Sequence, residues 1–186
     1  STGVVALAEI GDKTQLLAFL LAARFKKPLP IILGILLATL VNHGLAGALG
    51  AWITTNVSPE VLRWVLGLSF IGMAVWTLIP DKIEEEESLI AQKLGVFGAT
   101  LVTFFLAEMG DKTQVATVAL AAHYAAPLLV VIGTTLGMLI ADVPAVFAGD
   151  KLAAKIPMRL VHAIAAGVFA VLGVMTLLGA GTGFGF

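Results

Sequence analysis

Two short segments hold most of the charge that this chain places inside its apolar runs. Ala8-Glu9-Ile10-Gly11-Asp12-Lys13-Thr14-Gln15 recurs as Ala107-Glu108-Met109-Gly110-Asp111-Lys112-Thr113-Gln114, an offset of 99 residues. An ionisable side chain at the centre of a spanning helix costs about 2.5–3.5 kcal/mol to insert. Glu9, Asp12, Lys13, Glu108, Asp111, Lys112 and Asp142 all lie in such runs and so need a chemical reason. On a continuous helix, at about 100° per residue, Glu9, Asp12 and Lys13 share one face, which Leu16 continues. Thr14 and Gln15 flank that arc and reach a central site only if the helix distorts near Gly11 or another helix packs beside them. Glu9, Asp12, Glu108 and Asp111 around one cavity would suit a hard divalent cation such as Ca²⁺, Mg²⁺ or Mn²⁺, because soft sites want sulfur or several imidazoles. Set against Lys13 and Lys112, these carboxylates leave a negative excess that one divalent ion matches. The plainer alternative pairs each Glu with its own Lys at i,i+4, which leaves Asp12 and Asp111 without partners.

Asp142 is followed by Pro144, whose ring frees the carbonyl of Ile140 and predicts a kink beside a carboxylate in mid-span, so Asp142 is a candidate for the ion path. His43 occupies the matching position in the first half and reads as a hydrogen-bonded packing residue, and Met109 reads as packing too. There is no cysteine, which removes thiolate nucleophiles, iron–sulfur clusters and cysteine-ligated zinc. With no nucleophile motif and no His-Glu-x-x-His zinc site, the chain does not read as an enzyme.

Positioning these residues requires a membrane. The 186-residue chain is 59% hydrophobic and 12% charged, with a net charge of -1, so it has neither a soluble protein's composition nor the basic surface that would hold nucleic acid. Prolines 28, 30, 59, 80, 127 and 157 punctuate six runs of roughly 20 residues, each enough to cross a bilayer. The spans are expected at 3–25, 30–53, 60–79, 94–123, 127–149 and 157–179. The first lacks a charged leader region or small-residue cleavage site and is not read as a signal peptide.

The offset of 99 also aligns Pro28 with Pro127, Gly34 with Gly133 and Gly50 with Gly149, so the chain reads as two related halves. Three spans per half is odd, so the second half enters the bilayer from the opposite side. The expected fold is therefore an all-α membrane protein of six transmembrane helices, in two inverted-topology three-helix repeats. Residues 1–79 form the first repeat and 94–186 the second; 80–93, with Glu84 to Glu87, is an acidic linker. Arg24, Lys26, Lys27, Lys82, Lys93, Lys151, Lys155 and Arg159 fall on one side and only Arg63 on the other. That bias makes the linker cytoplasmic and both termini extracytoplasmic.

The doubled Glu-x-Gly-Asp-Lys-Thr motif resembles the signature of a family of small membrane cation/proton exchangers, which includes bacterial manganese exporters and transporters supplying the Golgi with manganese and calcium. The resemblance covers nearly the whole chain. It implies that Glu9, Asp12, Glu108 and Asp111 ligate the cation, with Thr14, Gln15, Thr113 and Gln114 as additional contacts; read from the residues alone, Lys13 and Lys112 tune the carboxylates or occupy the vacant site. The expected activity is secondary active export of Mn²⁺, and of Ca²⁺ as a second cargo, from a bacterial cytoplasm across the inner membrane in exchange for protons. No cofactor is expected; the metal is substrate. A passive cation channel and an exporter of a small cationic metabolite use the same carboxylates and are the alternatives.

Overall fold

Proline sets three of the long helices. It stands at the first position of α3 (Pro28–Asn56), α4 (Pro59–Thr77) and α7 (Pro127–Ala148), where its missing N–H removes no intrahelical bond and its fixed φ suits the first turn. The computed structural model describes residues 1–10, 12–78, 94–124, 126–148 and 158–179, and the regular structure among them is entirely helical. The other helices are α1 (Thr2–Glu9), α2 (Lys13–Phe25), α5 (Gly95–Glu108), α6 (Lys112–Tyr124) and α8 (Met158–Leu177). The acidic linker and the loop carrying Lys151 and Lys155 lie outside the described residues, as does Gly11.

The runs 3–25 and 94–123, expected as single helices, are each broken in two at the motif. The physical reason lies in the Glu-x-Gly-Asp order. Ile10 has φ -63° and ψ 116°, and Met109 has φ -66° and ψ 117°. The Asp12 N–H donates to the Glu9 carbonyl at 3.0 Å, and the Asp111 N–H to the Glu108 carbonyl at 3.1 Å. These are the dihedrals and bond of a type II turn, whose third residue needs positive φ; Gly110 supplies it at +78°. The shared face derived from one unbroken helix is therefore replaced by a turn with a helix end on each side, and Leu16 is 37% exposed rather than continuing a buried stripe.

Among the described residues, three helices are long and apolar enough to cross a membrane: Pro28–Asn56, Pro59–Trp76 and Pro127–Phe147. Gly95–Glu108 and Ala166–Leu177 are shorter apolar helices. The long helices turn the soluble pattern inside out. On α3, Leu29, Leu33, Leu37, Leu40, Leu45 and Leu49 are exposed, while Thr39, Asn42 and His43 are completely buried. Such a face suits lipid, while the polar residues turn inward against the rest of the bundle. α7 continues through Pro144.

The repeated segments pack on each other's partners. α3 lies against α5 and α6, α7 lies against α1 and α2, and α4 pairs along α8. Glycines permit the closest approaches: a Cβ at Gly50 would stand 2.5 Å from the Val118 carbonyl on α6, and one at Gly137 would stand 2.6 Å from the Thr2 carbonyl on α1. Each long helix thus seats the broken helix of the other half.

Candidate metal centre

The two turns bring their carboxylates together out of contact with solvent. Glu9 and Glu108 end α1 and α5; Asp12 caps α2 and Asp111 immediately precedes α6. An aspartate at a helix N-cap ordinarily accepts an N–H from the first turn. Asp12 makes no such side-chain cap bond, and its carboxylate is turned to the other half of the chain. Glu9, Asp12 and Asp111 each offer an oxygen, and these atoms lie within 4.8 Å of one another. Glu108 stands beside this group, within electrostatic range of Glu9, Asp12 and Asp111. Asp142, on α7, acts on both glutamates. Glu9, Asp12, Glu108 and Asp142 have no exposed surface and Asp111 only 2%.

The lysines do not pair with the glutamate four residues before them in their own motif. Lys112 Nζ donates to Asp12 Oδ1, both side chains fully buried, and Lys13 Nζ lies 3.4 Å from Asp111 Oδ1. Each lysine therefore crosses to the aspartate of the other motif. The turn is the cause: it carries Lys13 and Lys112 into the first turn of a new helix, away from the end of the old one. Among the described residues the pairing is reciprocal.

The threonines hold the glutamates. Thr14 Oγ1 donates to Glu9 Oε2 at 2.6 Å, and Thr113 Oγ1 to Glu108 Oε2 at 3.1 Å. The second oxygen of each, Oε1, has no hydrogen-bond partner among the described residues, and the same holds for Asp111 Oδ2 and both oxygens of Asp142. Buried carboxylate oxygens are nearly always bonded, so unpartnered ones on and beside residues that converge within 4.8 Å offer the donor chemistry that a hard cation needs. The glutamines diverge. Gln15 Nε2 donates to the Ala141 carbonyl at 3.0 Å, which ties α2 to α7 beside Asp142, whereas Gln114 Oε1 accepts the Gly110 N–H at 2.7 Å and braces its own turn.

Two residues differ from their sequence reading. Met109 is 53% exposed, outside both core and cluster. His43 is completely buried, yet neither ring nitrogen has a hydrogen-bond partner among the described residues, so it is not a hydrogen-bonded packing residue. Its Nε2 lies 3.9 Å from Glu108 Oε2. The available signal was its alignment with Asp142 across the offset of 99 residues.

Comparison with known proteins gives a consistent picture. The family model described as "Divalent cation/proton antiporter GDT1" matches residues 1–85 and 96–183. A Vibrio cholerae protein named "Putative manganese exporter" is 52% identical over 177 residues, covering 95% of this chain and 88% of its own. The rice "GDT1-like protein 3" is 31% identical over 195 residues, covering 91% of this chain and 69% of its own. The Arabidopsis thaliana "GDT1-like protein 5" is 29% identical over 216 residues, covering 96% and 93%. No solved structure matches the chain.

Proposed function

The chain belongs to the GDT1 family of divalent cation/proton antiporters, integral membrane transporters rather than enzymes, and from that premise we propose that it exports Mn²⁺, with Ca²⁺ as a second cargo, in exchange for protons. Glu9, Asp12, Glu108 and Asp111 are the ligands, with Asp142 on the ion path. The observation that carries this reading is the buried convergence of Glu9, Asp12 and Asp111 within 4.8 Å. A carboxylate must lose its proton to ligate a metal, so metal and protons compete for the same oxygens. That competition turns a binding site into an exchanger.

Six spans in two inverted three-helix repeats, residues 1–79 and 94–186 joined by a cytoplasmic linker at 80–93, would expose this site alternately to the two faces of a bacterial inner membrane, with both termini extracytoplasmic. Support comes from the two helix breaks at the motifs, since transporters of this architecture build midplane sites from discontinuous helices. The Mn²⁺ reading draws on the name of the Vibrio cholerae relative.

Purified protein in liposomes should move Mn²⁺ against a proton gradient, and Asp12→Asn and Glu108→Gln should each abolish that flux while retaining the fold. Wild-type flux in either variant sinks the ligand assignment. Flux indifferent to the pH gradient makes the protein a channel, and a panel of Mn²⁺, Ca²⁺, Mg²⁺ and small organic cations tests the cargo.

A further inference from the structure

We propose that His43 is a nitrogen ligand of the transported cation and the residue that sets preference for Mn²⁺ over Ca²⁺ and Mg²⁺. The inference rests on reading the carboxylate cluster as the cation site, and adds a donor of different chemistry to it.

The placement of His43 is enforced from its neighbour. Asn42 Nδ2 donates to the Phe105 carbonyl at 3.0 Å, which fixes α3 against α5 one turn before Glu108. The imidazole is thereby held at the end of α5, with Nε2 3.9 Å from Glu108 Oε2. That separation is too long for a hydrogen bond. It does suit two ligands of one ion, each at roughly 2.0–2.4 Å. A buried imidazole ordinarily uses both ring nitrogens, one to donate and one to accept. Here neither has a partner among the described residues, and Glu108 Oε1 beside it has none either.

The chemistry of selectivity points the same way. Carboxylate oxygens accept Mg²⁺, Ca²⁺ and Mn²⁺ alike, so oxygen alone discriminates by cavity size. A neutral imidazole nitrogen is a donor that first-row transition ions take readily and that Ca²⁺ and Mg²⁺, bound by oxygen, do not favour. The repeat offers the two options at equivalent positions, each facing the opposite half: His43 of the first half stands against Glu108 of the second, and Asp142 of the second lies within range of Glu9 of the first. Each half contributes one extra ligand, nitrogen from the first and oxygen from the second.

The test uses the full chain, purified and loaded with Mn²⁺ alone. Pulsed electron paramagnetic resonance should detect a directly bound nitrogen whose coupling changes on ¹⁵N-histidine labelling and disappears in His43→Gln. Because His123 and His162 are the other two histidines, the variant assigns the signal. In liposomes, His43→Gln should lower the Mn²⁺/Ca²⁺ flux ratio roughly tenfold, at the lower end of the losses seen on perturbing a metal site, and His43→Asp should shift it toward Ca²⁺. Mn²⁺ bound by the wild type with no nitrogen coupling overturns the proposal and leaves the carboxylate site standing. An unchanged flux ratio in both variants overturns it as well. Failure of the wild type to bind Mn²⁺ overturns both the proposal and the reading beneath it.

Discussion

Lys112 reaches across 100 residues of sequence to place its ammonium on Asp12, with both side chains sealed from solvent. Its counterpart, Lys13 on Asp111, makes the same crossing at 3.4 Å but remains 27% exposed. The two contacts differ in what they protect. Removing one partner of a fully buried pair leaves an uncompensated charge, at a cost of about 3–5 kcal/mol, whereas a contact whose lysine still reaches solvent is partly screened and costs less to break.

Lys112→Met should therefore lower the melting temperature in detergent substantially more than Lys13→Met. Mn²⁺ should restore more stability to Lys112→Met than it adds to the wild type, because the ion supplies the missing positive charge next to Asp12. Equal melting of the two variants, or no differential rescue, would contradict the unequal burial.

Thr14 and Thr113 each hold one oxygen of a glutamate and so orient the other. Thr14→Val strands Glu9 Oε2 in the interior, at a cost of about 1–3 kcal/mol, and should raise the metal concentration for half-maximal flux severalfold. Thr14→Ser keeps the hydroxyl and should stay near the wild type. A valine variant with unaltered metal dependence would remove the threonine from the site.

Gly110 has φ +78° and open space where a Cβ would stand. Any penalty for Gly110→Ala is thus backbone strain, about 1–2 kcal/mol, and Gly110→Asn should recover part of it because Asn tolerates this region. Thermal unfolding of the two variants orders them; an alanine variant as stable as the wild type would mean the turn is not needed in this form.

Gly50 makes the opposite case. A Cβ there meets the Val118 carbonyl at 2.5 Å, so Gly50→Ala must push α3 and α6 apart and should cost about 1–3 kcal/mol. Gly44, with nothing within 4 Å, should accept alanine with no loss. Melting curves that fail to separate the two would show that this helix contact can open without cost.

Much of this could be read from the sequence. Prolines 28, 59 and 127 announced helix starts because proline's fixed φ acts locally. The carboxylates stood out because charge is costly in an apolar run. The helix breaks were harder to see, since periodicity treats Glu9 to Leu16 as one helix. The local evidence was present in the order Glu-x-Gly-Asp, a type II turn with glycine at its third position. The crossed lysine pairs were not legible at all, because they depend on how far each half reaches into the other. His43 was misjudged for a related reason: whether a buried imidazole has a partner is decided by packing, not by spacing.

The reciprocity of those lysine pairs has a consequence for how such a chain can arise. When one copy of a motif gives to the other what it receives from it, the contact has the form of an isologous interface, the kind that joins two identical subunits about a two-fold axis. A polypeptide half this length, bearing a single Asp-Lys pair, would leave that pair unmet until a second copy turned to face it. Within one chain, positions 43 and 142 are nonetheless free to differ, one a histidine and the other an aspartate, which no symmetric pair of identical chains could do.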